Sequence, residues 1–169
     1  GQQGTIGWFV SLYINGVWKG YFNFCEHLRE AFMQQHYNSI ATWDVQQVNA
    51  FASGDNLHWK STLAVLRTND LSKVSNYMLA LNYIDTENFA DYLIVHTFAA
   101  QGDWPNNNWV AARERSTAGR WRFYMWDAEM SFGLSTGRAT SFDSFTNDLL
   151  IADAKTTGNR YIPAIYTLL

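Results

Sequence analysis

The dipeptide Asn15-Gly16, set between two runs of alternating strand-forming residues, is the strongest constraint on how this chain folds. Both residues tolerate positive φ, which suits them to the tight turn whose twist matches that of two paired strands. The spacing predicts a strand from Trp8 to Ile14 and a return strand from Val17 to Phe24, with Gly20 as a bulge or close-approach point. A second strand-turn-strand signal comes late in the chain, Trp109 to Arg115 and Arg120 to Trp126 across Ser116-Thr-Ala-Gly119. The stretches between and after the hairpins read as helices.

Leu28, Ala31 and Phe32 sit at helical spacing in a helix expected from Glu26 to about Tyr37. Thr42 is placed to cap a short helix from Trp43 to Phe51, with Val45, Val48 and Phe51 on one side. Further helices are expected over His58–Leu66 and Leu71–Leu81. The strongest is Phe89–Ala100, which Asp85 can cap and whose first-turn acids suit the positive end of the helix dipole. It is apolar almost all round and therefore expected to be buried, with His96 as a core histidine. Residues 134–144 read as a Ser/Thr/Gly-rich loop, Ser144–Ile151 as a short helix, and Ile162–Leu169 as a last helix begun by Pro163. The order of elements predicts an α+β chain: two β-hairpins with a mainly helical body.

At 169 residues, 47% hydrophobic and 16% charged, the chain is long and apolar enough for one domain around one sizeable core. A net charge of −3 excludes a general nucleic-acid binder, which needs a basic field to neutralise phosphates. The basic residues are scattered apart from Arg113, Arg115, Arg120 and Arg122 around the second turn. The single cysteine, Cys25, excludes a disulfide framework and a cysteine-rich zinc site, and its apolar neighbours suggest a buried small side chain. No run of eighteen apolar residues is present, so no membrane span is expected, and no signal-peptide pattern is visible. Apolar residues run to the last position, as in a domain truncated at both ends.

The chemistry concentrates in Gln101-Gly-Asp-Trp-Pro-Asn-Asn-Asn-Trp109 and Arg120-Trp-Arg-Phe-Tyr-Met-Trp-Asp127-Ala-Glu129. Asp103 follows the buried helix and precedes Trp104-Pro105, which cannot continue it. A carboxylate held there can accept a proton from a hydroxyl. Asn108 can offer a side-chain oxygen to a hard cation, and Asp127 stands at the end of an apolar strand. Glu129 shares the Asp127 side if that strand continues. Oxygen ligands of this kind suit magnesium, which takes its remaining ligands from water and substrate phosphates. The plainer reading makes Asp103 and Asn106–Asn108 turn formers and Asp127 a strand-ending residue. Trp104, Trp109 and Trp126 surround the stretch as core packing or as a shelf for a nucleotide base.

Three strings, Asn88-Phe-Ala-Asp-Tyr-Leu-Ile-Val-His96, Asp103-Trp-Pro-Asn-Asn-Asn-Trp109 and Gly119-Arg-Trp-Arg-Phe-Tyr-Met-Trp-Asp127-Ala-Glu-Met-Ser-Phe-Gly133, resemble the CotH kinase family, named for a bacterial spore-coat protein kinase. Tyr13-Ile-Asn-Gly-Val-Trp-Lys-Gly-Tyr21 and Glu26 resemble the same family's hairpin and the acidic residue after it. The resemblance implies an atypical protein-kinase-like fold, with residues 1–169 as a single partial domain. It also implies ATP- and magnesium-dependent phosphoryl transfer to Ser/Thr hydroxyls of a protein substrate. A kinase catalytic loop places an Asp, an Asn five positions later, and a metal-binding Asp after the next hairpin. Asp103 would then be the base, Asn108 and Asp127 the metal ligands and Glu129 a further ligand. On the nucleotide side Trp104 is the candidate to stack on a base, and Glu26 either pairs with a lysine outside this chain or starts its helix as a dipole partner. Gln101-Gly102 stands where the loop arginine is expected, no glycine-rich phosphate loop precedes the first hairpin, and Lys19 is that hairpin's one lysine. The missing cationic half is expected upstream of Gly1. The implied setting is extracellular, on a cell surface or in a spore coat, within a larger assembly. The reading from another class is a non-catalytic structural or binding module that keeps the fold.

Overall fold

A computed structural model describes residues 3–48, 50–102, 104 and 107–134. The helices expected over 144–151 and 162–169 lie outside the described residues. Within them the fold is α+β, with two sheets and four helices.

The first hairpin forms where Asn15-Gly16 places it. Strands β1 (Gly7–Ile14) and β2 (Val17–Cys25) pair antiparallel, and Asn15 and Gly16 both adopt positive φ. The register slips between Leu12 and Tyr13: Leu12 faces Gly20 while Tyr13 faces Trp18, which leaves Lys19 as the extra residue of a bulge. Gly20 carries that bulge at φ 115°, a conformation costly for any residue with a Cβ. Trp8, Val10, Leu12, Ile14, Val17, Phe22 and Phe24 line one face of the ribbon, since cross-strand partners share a face. That face is exposed, with Trp8 at 60% and Phe24 at 69%. Cys25 is exposed too and not buried as its apolar neighbours suggested, since the ribbon's flanking residues are themselves exposed.

The body is built on a four-stranded sheet in the order β4-β3-β5-β6, made of β3 (Trp43–Gln47), β4 (Ala50–Ser53), β5 (Trp109–Glu114) and β6 (Arg122–Met125). The span Trp43–Phe51 is therefore a hairpin and not the helix its Val45, Val48 and Phe51 suggested. The period misleads because β3 is a central strand covered on both faces. Trp43, Asp44, Val45 and Gln46 are all buried, so no polar alternation is left to read. Asp44 is kept in that strand by Arg113 and Arg115, at 3.1 and 2.7 Å. Gly54 follows at φ 72°, where a Cβ would fall 2.2 Å from the Asp44 carboxylate, so no other residue fits that approach.

Helices cover both faces of this sheet. On one side α1 (Glu30–His36) packs Phe32 and Met33 with Leu28 against Trp43, Val45, Val110, Ala112 and Tyr124. This helix is shorter than the expected Glu26–Tyr37. Arg29 is its extended N-cap, and the Glu26 carboxylate is taken up by the Ile6 N–H, so Glu26 lies outside the helix. On the other side α2 (Leu57–Thr68) and α4 (Thr86–Ala99), with the edge of α3 (Val74–Ala80), bury Trp59, Leu63, Phe89 and Leu93 against Trp109, Ala111, Trp121 and Phe123. Alternate residues of β5 thus belong to the two cores.

Candidate active site

The positions singled out at 101–108 and 120–129 depend on α4 and β6, which are locked together at both ends of the helix. At its start, Asp85 caps the helix by accepting from the Asn88 N–H at 3.3 Å and binds Arg122 Nε at 2.9 Å. The Asn88 side chain donates to the Phe123 carbonyl at 3.2 Å and accepts from the Phe123 N–H at 2.6 Å. One buried amide thereby replaces two ladder bonds on the open edge of β6. At its end, Ala100 takes the left-handed conformation at φ 49° and terminates α4. The Phe132 N–H then bonds to the Ala99 carbonyl at 2.8 Å and the Gly102 N–H to the Met130 carbonyl at 2.9 Å.

These ties bring Asp127 against both ends of the Asn-rich loop. Its backbone carbonyl accepts the Gln101 side-chain N–H at 3.0 Å and the Asn108 side-chain N–H at 2.8 Å. A carbonyl can only accept, so it is the Asn108 side-chain nitrogen that donates there. Asp127 is exposed at φ 53° and Asn108 is buried at φ 57°. Among the described residues seven non-glycine positions have positive φ, and four of them, Ala100, Asn108, Asp127 and Phe132, lie on this one unit. Each costs on the order of 1 kcal/mol, and such conformations cluster where a side chain must be aimed.

The other expected positions are distributed as follows. Asp103 lies outside the described residues. Trp104 is 2% exposed; it stacks on His96 at 4.6 Å between ring centroids and donates its indole N–H to the Tyr92 hydroxyl at 2.7 Å. Burial pushes the His96 imidazole down to about 4, so it is neutral at pH 7. Glu129 is exposed in a turn, because β6 stops at Met125 and the positive φ of Asp127 breaks the alternation that would have aligned the two carboxylates. Glu26 stands at the exit of the first hairpin, where its carboxylate accepts from the Ile6 N–H at 2.9 Å and meets His36 Nε2 at 3.1 Å. Those two contacts, the backbone bond first, hold the Glu26 carboxyl below the usual carboxylate range. Lys19 is exposed on the bulge.

Two residues that hold the site were missed in the sequence. Gln101 and Asn88 are both amides flanking charged or apolar neighbours, and only their burial, 0% and 8%, reveals them as clamps on β6 and its exit. A sequence signal did exist for Asn88, which opens α4 three residues after the capping Asp85. His27 at the end of the first hairpin stacks on Trp126 at 5.2 Å, next to Asp127, and so connects the ribbon's exit to the end of β6.

The chemical content of this unit is oxygen: an amide and a carboxylate held on a rigid strand exit, with a second carboxylate, Glu129, two residues on. Among the described residues no three His, Cys, Asp or Glu side chains group as a metal site. No described helix is long and apolar enough to cross a membrane. No curated protein and no solved structure matches the chain significantly. The model of the CotH kinase protein family does match, over residues 5–160, well over half of the chain and including both hairpins and the Asp127 unit, and the chain belongs to that family.

Proposed function

We propose that this domain has an atypical protein-kinase-like fold and transfers the γ-phosphoryl group of ATP to a Ser/Thr hydroxyl of a protein. The observation that carries the reading is the Asn108–Asp127 contact at 2.8 Å, which unites two residues 19 positions apart in the order that kinase chemistry requires. An amide oxygen and an exposed carboxylate fit magnesium, which takes one or two protein oxygens and fills its shell with water and phosphate. When bound, that ion would neutralise phosphate charge. Asn108 and Asp127 would hold it, with Glu129 as the further candidate. The chain's own work is positioning: Gln101 and Asn108 fix the Asp127 backbone, from which its carboxylate projects. Asp103 is assigned the proton of the acceptor hydroxyl. Glu26 and Trp104 are assigned to the nucleotide side, and Trp104, at 2% exposure, meets a base only after its cover shifts. The resemblance to a spore-coat kinase supports an extracellular setting, on a cell surface or in a spore coat, as part of the same proposal.

The test is transfer from labelled ATP to a hydroxyl-bearing protein acceptor. Asp127→Ala is expected to reduce it by at least about 100-fold, the scale on which such charge-stabilising groups act. Undiminished transfer by a folded variant would remove Asp127 from the site. The first hairpin, with its exposed aromatic faces, supports a second reading as a non-catalytic binding module. Titration calorimetry with ATP and magnesium separates the two, since a module that has lost the nucleotide gives no heat at millimolar ligand.

A further inference from the structure

At the other end of the body sheet from Asp127, where β5 turns into β6, a cavity of about 290 Å³ opens against the ends of α1 and β3. Arg120, Arg122 and Glu114 are in its wall, with the rings of Tyr37 and Trp43 stacked at 5.2 Å as an apolar surface. The arginines of this turn differ in how fully they are engaged. Arg113 and Arg115 bind Asp44, and Arg115 also binds Asp55. Arg122 donates to Asp85 at 2.9 Å and lies 4.9 Å over the Tyr37 ring. Arg120 comes only to 3.9 Å of the same Asp85 oxygen, beyond hydrogen-bond range, and 44% of its side chain is exposed. Asp85 already takes Arg122 and the cap of α4, and at 3.9 Å it makes no hydrogen bond to Arg120. Arg120 therefore has no carboxylate within hydrogen-bond range among the described residues, while its planar fork is built to take one.

Glu114 restricts what that acceptor can be. Its carboxylate accepts from the Ser39 hydroxyl at 3.1 Å and adds a negative charge to the wall. A bare anion such as phosphate is repelled by it. A ligand bringing a carboxylate together with N–H donors satisfies both walls, and a peptide with an acidic side chain is such a ligand. We propose that this cavity binds an acidic side chain of an extended peptide, with the carboxylate on Arg120 and a backbone N–H on Glu114. The strands separating it from Asp127 span roughly 20 Å, the length of about seven residues of extended peptide. Binding itself does not rest on the kinase reading and is tested without nucleotide.

The experiment is fluorescence anisotropy with a labelled, otherwise neutral peptide carrying one Glu, against its Gln counterpart, at low salt. The Glu peptide is expected to bind at least about tenfold tighter, a difference of roughly 1.4 kcal/mol. Arg120→Glu is expected to erase the difference, and Arg120→Lys, which keeps the charge without the fork, to retain part of it. Arg120 is half in solvent, so both variants should fold, and near-UV circular dichroism verifies this. Inorganic phosphate at equal ionic strength is expected not to displace the peptide, and to begin doing so in Glu114→Gln. Equal binding of the Glu and Gln peptides, or an Arg120→Glu variant that still discriminates them, overturns the proposal. Displacement by phosphate from the unmodified protein overturns it as well, since the cavity would then take free anions.

Discussion

In the β1–β2 ribbon Phe9, Tyr21 and Phe24 are 85%, 76% and 69% exposed, whereas in β5–β6 Val110, Ala111, Phe123 and Tyr124 are 4% exposed or less. Both hairpins carry a turn between alternating runs, and both pair antiparallel. The difference lies outside them. β5 gains β3 as a neighbour, and the sheet is covered by α1 on one face and by α2 and α4 on the other. An isolated two-stranded ribbon is marginal in water until a third strand or a helix covers it. Alternation thus specifies pairing and register, while burial is decided by elements distant in sequence. The rigid hairpin carries Asp127 at its exit; the exposed one leads into Glu26.

If the second hairpin is the mechanical anchor, the largest loss comes from emptying the core beneath it. Trp121 is fully buried, edge-on to Trp59 at 4.8 Å, with its indole N–H on Thr62 and His58. Trp121→Ala is expected to cost about 3–5 kcal/mol in urea unfolding. Asn88→Ala comes next. It leaves the Phe123 N–H and carbonyl without their partners, at about 1–3 kcal/mol for each buried group. Because Phe123 lies four residues before Asp127, the same variant should lower phosphoryl transfer more than it lowers nucleotide affinity. Equal losses in both would mean that the clamp serves the fold and not the aim of Asp127.

A different effect separates the halves by pH. Burial against Tyr92 and Trp104 lowers His96 to about 4, while the unfolded chain takes up the proton near 6.5. Between those values the unfolded state binds more protons, so the contribution is fully present above pH 6.5 and is lost as pH falls towards 4. The gap is worth roughly 3–4 kcal/mol, and His96→Gln should flatten that part of the stability profile. Glu26 responds in a lower window. Its carboxyl is depressed by the Ile6 N–H and by His36, so its contribution is present above the ordinary carboxylate range and lost on acidification through its folded value. Amide exchange at Ile6 should rise there while the body stays protected.

Much of this was legible where local chemistry is strong. Asn15-Gly16, the Asp85 cap and the second turn each act within a few residues, and their elements formed close to the expected bounds. Trp43–Phe51 was not legible, because a strand buried on both faces loses its alternation, and because the groups that keep Asp44 in it, Arg113 and Arg115, come from β5 and the residue after it. Glu26 opened no helix for a similar reason: its partner, the Ile6 N–H, lies across the ribbon. For the site, the order of Asn108 and Asp127 was readable, but their contact runs through the backbone of Asp127, which residue types do not announce. The two amides Gln101 and Asn88 do their work only through burial.

The smallest predicted effect is the most direct test of the comparison. Phe9, at 85% exposure, offers little surface to lose, so Phe9→Ala should change unfolding free energy by no more than about 0.5 kcal/mol. Phe123, the same residue type on β6, is 4% exposed, and Phe123→Ala should cost about 3–5 kcal/mol. Measured together in urea, the pair cancels the intrinsic preference of phenylalanine for strands and leaves the environment. A Phe9→Ala cost above about 2 kcal/mol would mean that the ribbon is packed against other surface in solution. The contrast between the hairpins would then be one of partner and not of exposure, and its apolar face would have to be read as an interface.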